Sequence, residues 1–166
     1  KNKRYRSQIE TMGKYSASEM ARLAGFNVTK KKSWQWCHII AFSIGGEDGK
    51  YPKSIMEYES IGPQRESNLV VGTVEANAQM LLVEDVVKKL VLKTTKPIYI
   101  RVKPTFVKDL EEYHIAETLE YTIQDAEKNP DCQITFSFNM LSRRKTALQE
   151  PEVIGPILEH LFLDKT

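Results

Sequence analysis

The chain has 166 residues, 41% of them hydrophobic and 28% charged. That suits one ordinary globular domain able to bury a real core, with no second independent domain required. No apolar run approaches the length of a membrane span and no N-terminal signal pattern is visible, which argues against a membrane partner. Net charge is only +2, but residues 1 to 32 hold nine Lys or Arg against Glu10 and Glu19, a local +7 that leaves −5 for the remainder.

That basic arm opens the chain. With no initiator Met and a charged first segment, the sequence reads as a fragment excised from something longer. Lys1 to Arg6 suit either a solvated terminus or phosphate binding. Lys30, Lys31 and Lys32, directly before the first strong strand, favour phosphate, because backbone binding is electrostatic and tolerant of sequence. Between these clusters, residues 17 to 24 carry a short helical pattern with Ser16 as N-cap and Gly25 as stop.

A strand is predicted from Ser33 to Ile40, with Trp34, Trp36 and His38 sharing one face by the two-residue period. The two Trp read as core rather than as stacking platforms. His38 then falls near a strand end, followed by Ile39-Ile40 and a Gly45-Gly46 punctuation. The polar stretch up to Asn68 is longer than a hairpin loop and suits a substrate cleft. Within it, Arg65 is either a bidentate phosphate contact or an ordinary surface charge. A second apolar strand, Asn68 to Val71, stops at Gly72-Thr73.

A helix follows from about Thr73 to Leu92, with Val74, Ala78, Leu81, Leu82, Val86 and Leu90 as its core-facing set. Asn77 lies in its first turns, in a stripe with Leu81 and Glu84 at the edge of the apolar face. Glu84 is either an orienting group for metal-bound water or a solvated carboxylate.

Beyond Lys96-Pro97 the pattern changes to strands at Ile98–Val102, Ala116–Ile123 and Gln133–Met140, the last placing Ile134, Phe136, Phe138 and Met140 on one face. Residues 128 to 131 carry turn chemistry, and a final helix is expected from about Glu152 to Phe162. His114 and His160 read as structural or exposed. Arg143, Arg144 and Lys145 form a basic cluster for which surface solubility is the commoner explanation and nucleic-acid contact the alternative. The acidic run between Asp109 and Asp131 argues against that part facing DNA. Cys37 and Cys132 are too few and too far apart for a zinc CxxC site or a disulfide framework.

Strand, loop, strand and helix bring His38, Asn68 and Asn77 within reach of one another. Phosphodiester hydrolysis needs a base for water and a cation for the charge on phosphate and leaving oxygen. An imidazole and an amide oxygen on a helix can supply both needs, since Mg²⁺ keeps several waters and requires few protein ligands.

His38 followed by Ile-Ile and Gly45-Gly46, then Asn68-Leu69, then Asn77 nine residues on, resembles the HNH or His-Me finger (ββα-metal) nucleases, over residues 34 to 85. The likeness is greatest to nuclease toxin domains of bacterial polymorphic and contact-dependent systems. It implies an α+β fold: a basic N-terminal arm with a short helix (1–33), a ββα-metal nuclease core (34–93), and an extension with a small antiparallel sheet plus helix (94–166).

It also implies His38 as general base, Asn68 as the brace of the loop presenting it, and Asn77 as the ligand for a divalent metal, Mg²⁺ first and Mn²⁺ or another divalent ion second. Cys37 stands where many members have an Asp as second metal ligand, and Asn77 where many have His. The expected partners are DNA, with RNA as second choice, and a cognate immunity protein. The expected setting is a bacterial one: the cytoplasm of the producing or target cell, with secretion as part of a larger toxin as the route. The competing readings are a catalytically inactive nucleic-acid-binding module and a protein-interaction domain whose basic arm recruits an acidic partner.

Overall fold

The computed structural model describes residues 7–30, 32–40, 68–94, 98–125, 132–144 and 150–163. Lys1 to Arg6, Lys31, the cleft stretch with Gly45, Gly46 and Arg65, Lys96-Pro97, the turn at 128–131 and Lys145 therefore lie outside the described residues.

Two Ser-x-x-Glu sequences start the chain's first helices, α1 (Gln8–Thr11) and α2 (Ala17–Leu23). In each, the serine hydroxyl accepts from the glutamate N–H at 3.2 Å while the glutamate carboxylate accepts from the serine N–H at 2.7 Å. Reciprocal capping of this kind satisfies two orphan donors at once, and it lets even a four-residue helix persist. The stop expected at Gly25 is real: its φ is +85°, Gly25 N–H bonds Arg22 O and Phe26 N–H bonds Ala21 O, both halves of a Schellman closure. The four residues of α1 are too few to show periodicity and were not anticipated.

Strands β1 (Trp34–His38) and β2 (Leu69–Thr73) pair antiparallel from Trp34 opposite Thr73 to His38 opposite Leu69. A lone two-stranded ribbon is marginal in water, and here both of its faces are buried. Trp34, Trp36, Leu69 and Val71 pack against Met12, Ala17, Ala21 and Ile115. Cys37 and Val70, on the opposite face, join the larger core formed with the long helix and the C-terminal sheet. Gly72 does not end β2 as expected; it sits within the strand opposite Gln35. A Cβ there would lie 2.6 Å from Met140 Cε and 3.2 Å from Cys37 Sγ, so the glycine is a close-packing device rather than a turn.

Thr73 caps the next helix, α3 (Val74–Lys93), its hydroxyl accepting from Ala76 N–H at 3.1 Å. The helix forms where expected, but its phase differs. Ala76, Met80, Val83, Val86, Val87, Leu90 and Val91 are buried, whereas Ala78 is exposed and Leu81 is 50% exposed. Apolar residues lie nearly all round this helix, so periodicity alone could not select the inward face. Packing against both the ribbon and α4 (Glu150–Phe162), through Ile154, Leu158 and Phe162, selects it.

The remaining strands, β3 (Ile98–Phe106), β4 (Ala116–Asp125) and β5 (Gln133–Asn139), form an antiparallel meander in that order. β3 runs four residues past the expected Val102, through Pro104, because an edge strand tolerates a missing N–H on its outer side. The fold is thus α+β, with separate antiparallel sheets of two and three strands among the described residues. Val71 N–H bonds His114 O at 2.7 Å and Thr73 N–H bonds Met140 O at 2.9 Å, joining the outer edge of β2 to the meander. Among the described residues no helix is long and apolar enough to cross a membrane.

Candidate active site

Because β2 is covered on its outer side, the open edge of the ribbon belongs to β1. Bonds from Ile39 N–H to Asn68 O and from Val74 N–H to Ser33 O fix the alternation. Gln35 and Cys37 therefore face β2 with their main-chain groups, while those of Trp34, Trp36 and His38 point to the open edge. A cavity of about 600 Å³ runs along that edge between the N-terminal helices and α3. His38, Asn77, Leu81, Glu84, Lys32 and Gln8 all contribute to its wall. The size is that of an ordinary ligand site.

His38 ends β1 and is half-buried. Gln8 on α1 approaches it: the Gln8 Nε2 amide donates to Trp36 O at 3.3 Å and lies 3.5 Å from His38 Nδ1. With the amide as donor, Nδ1 is the acceptor nitrogen and the neutral ring carries its proton on Nε2.

Asn68, only 1% exposed, holds the two residues after His38 by three bonds. Its carbonyl accepts from Ile39 N–H at 2.9 Å, its side-chain Oδ1 accepts from Ile40 N–H at 3.0 Å, and its Nδ2 donates to Ile40 O at 3.1 Å. One side chain therefore satisfies both main-chain groups of a buried residue and fixes the path of the chain as it leaves β1.

Asn77 lies one turn into α3, half-buried, with Nδ2 donating to Gln35 Oε1 at 2.8 Å. That bond orients the amide and directs Nδ2 to the ribbon, which distinguishes it from Oδ1, the atom with affinity for a hard cation. Leu81 and Glu84 follow on the same edge of the helix, as the stripe expected from sequence requires. Glu84 is only 6% exposed, and burial, aided by the neighbouring Asp85 carboxylate, pushes its carboxyl up to about 7. Seven residues separate it from Asn77, about 10 Å along the helix, so the two share the cavity without sharing one small ion's first shell.

Cys37 departs from expectation. Its side chain alternates to the face opposite His38, the face of Gln35, but unlike Gln35 it is fully buried in the core and does not line the cavity. Burial first, then the Glu84 carboxylate, pushes its thiol up to about 12 despite a bond from the Gly72 main chain. In this structure Cys37 thus stands among the core residues, outside the cavity wall that holds His38 and Asn77. Of the basic residues, Lys30 and Lys32 are both exposed, and Lys32 alone of the two reaches the cavity wall; Lys31 and Arg65 are outside the described residues.

No group of three His, Cys, Asp or Glu arranged for a metal occurs among the described residues. Oxygen donors line the cavity, the Asn77 amide and the Glu84 carboxyl among them, and either suits a hard cation retaining most of its water rather than a soft metal in a closed protein cage. Gln8 and Gln35 escaped the sequence reading. The Ser7-x-x-Glu10 capping box marks the helix bearing Gln8, but nothing local marks the partner of either glutamine. No protein-family pattern, curated protein or solved structure matches this chain.

Proposed function

We propose that this chain is a metal-dependent endonuclease hydrolysing phosphodiester bonds of DNA, and that it belongs with the HNH or His-Me finger nucleases. The observation that carries this reading is the meeting of a histidine at the end of β1, braced through Asn68, with an amide one turn into the following helix, in one cavity. His38 takes the proton of the attacking water on Nδ1, the lone-pair nitrogen beside the Gln8 amide. At 3.5 Å that contact is long and yields readily to a water. The water oxygen bonds to phosphorus, the phosphorus–oxygen ester bond breaks, and the departing oxygen is protonated from solvent.

Asn77 Oδ1 would hold the divalent ion, Mg²⁺ first and Mn²⁺ as the alternative, with Gln35 fixing the amide. Such an ion, when bound, offsets charge on the phosphate and the leaving oxygen. Asn68 acts by position alone. Glu84, titrating near neutrality deeper in the same wall, serves to hold or release a proton there. Lys30 and Lys32 supply charge for the nucleic-acid backbone. By the same resemblance the chain is the toxic part of a larger bacterial protein, acting in a cytoplasm and neutralised by an immunity protein; severe growth inhibition on expression without a partner tests that extension.

Plasmid DNA and RNA incubated with the purified chain, each with Mg²⁺ or EDTA, test activity, substrate and metal together. His38→Ala should lower single-turnover cleavage by about 10² to 10⁴ at any metal concentration. Asn77→Ala should recover part of its loss as Mg²⁺ or Mn²⁺ is raised. A folded His38→Ala protein that cleaves like its parent would remove the assignment.

A further inference from the structure

The sequence carries two basic clusters more than a hundred residues apart, and the fold brings them to one place. Residues 142–144 cross the N-terminal end of α3 and are pinned there at three points. The Thr73 hydroxyl donates to Ser142 O, the Arg143 guanidinium donates to Ser33 O at 3.3 Å, and Gln79 Nε2 donates to Arg144 O at 3.3 Å. Ser33 in turn is tied to Lys30, whose carbonyl accepts from its N–H at 3.1 Å and from its hydroxyl at 2.8 Å. Arg143 also lies 4.8 Å from the centroid of the Trp34 ring, a cation–π distance that holds the charge over the end of β1.

Lys30, Lys32, Arg143 and Arg144 are all exposed, and none forms an ion pair among the described residues. Lys32 and Trp34 belong to the cavity wall, so the basic surface is continuous with the cavity that holds His38.

We infer that Arg143 and Arg144 join Lys30 and Lys32 in a tract that binds the phosphate backbone of duplex DNA beside the cleavage site. The inference rests on the nuclease reading for the identity of the partner. Trp34 stands four residues before His38, about 13 Å along an extended strand. At 3.4 Å per step of one DNA strand, that is about four nucleotide steps from the scissile bond. A tract at this remove positions the duplex and takes no part in the chemistry. An acidic protein would need only the charge; the alignment with a cavity suited to phosphodiester chemistry favours nucleic acid.

The test measures binding of a labelled 20-base-pair duplex to the full chain in EDTA, across a salt series. Each lost phosphate contact reduces the slope of log K against log salt by about 0.9 on duplex DNA. Arg144→Gln, which leaves the Ser33 and Trp34 contacts untouched, should lower the slope by about 0.9, and Arg143→Gln with Arg144→Gln by about 1.8. Arg143→Lys should retain the slope, because it keeps the charge, and so separates loss of charge from disturbed packing.

Unchanged slopes in folded Arg144→Gln and in the double variant would overturn the tract. Displacement of the duplex by polyglutamate at equal charge concentration would overturn it in favour of an acidic protein partner. Since binding is read without metal, a chain that binds with the expected slopes but cuts nothing discards the nuclease and keeps the tract. One that cuts with unaltered slopes does the reverse.

Discussion

Asn68→Ala tests the brace directly. The substitution deletes two side-chain bonds to Ile40, which is itself buried, and strands both main-chain groups of that residue. Each hydrogen bond contributes about 1 kcal/mol net, and each buried group left without a partner costs about 1 to 3 kcal/mol. Water admitted by the shorter side chain offsets part of this, which leaves a loss of about 3 kcal/mol. Urea unfolding followed by the fluorescence of the buried Trp34 and Trp36 measures it, provided the m-value is unchanged. Asn68→Asp retains the acceptor for Ile40 N–H but turns the donor toward Ile40 O into a second acceptor, so it should lose at least as much. At temperatures where Asn68→Ala stays folded, the proposed cleavage should fall on the order of 10²-fold because His38, the proposed base, is no longer held in place. A stability loss below about 0.5 kcal/mol, within the range of an ordinary surface substitution, would refute the role given to this side chain.

Glu84 makes stability depend on pH. Its carboxyl titrates near 7 in the folded chain against an ordinary 4.5, so between those values the folded state retains a proton that the unfolded state has released. Stability should therefore fall as pH rises from about 4.5 to about 7, by about 3 kcal/mol at 1.36 kcal/mol per unit. Glu84→Gln should match the parent near pH 4.5, exceed it at pH 8 and lose this slope; denaturation midpoints at four pH values decide, and an equal slope in both proteins disproves the burial argument. Gly72→Ala should cost about 1 kcal/mol, the low end of overpacking, because the nearest atom is the terminal methyl of Met140 and Cys37 Sγ need yield only a few tenths of an ångström. A double variant with Met140→Ala should regain part of that loss, and thermal melts showing no coupling between the two sites would contradict the close-packing role.

The legible parts of the fold were those whose signals are local. Ser16 and Gly25 bracket α2 within ten residues, and the two-residue period put Trp34, Trp36 and His38 on one face. The same period, carried one step further, assigns Cys37 to the other face, the one that enters the core in the structure. The family resemblance, which supplies a ligand at that position, concealed this. The phase of α3 was illegible because several rotations bury similar apolar area, and the tail of β3 because Pro104 looks like a stop until the strand is known to be an edge. The contacts of Gln8 with the His38 ring, of Gln35 with Asn77 and of Arg143 with Ser33 span 30 residues or more. They are products of the tertiary fold with no local precursor.

The sealed thiol of Cys37 supplies a natural clock for the opening of this chain. At neutral pH a thiol titrating near 12 and buried against Gly72 is almost wholly protonated and out of reach of an alkylating reagent. Cys132 is partly exposed. Mass-resolved alkylation should therefore give two phases: a prompt one for Cys132, and a slow one whose rate counts the moments at which the ribbon parts from the core formed by α3 and Met140. Nucleic acid that closes on the cavity would lengthen the slow phase and leave the fast one alone, reporting ligand binding from a residue that never touches the ligand.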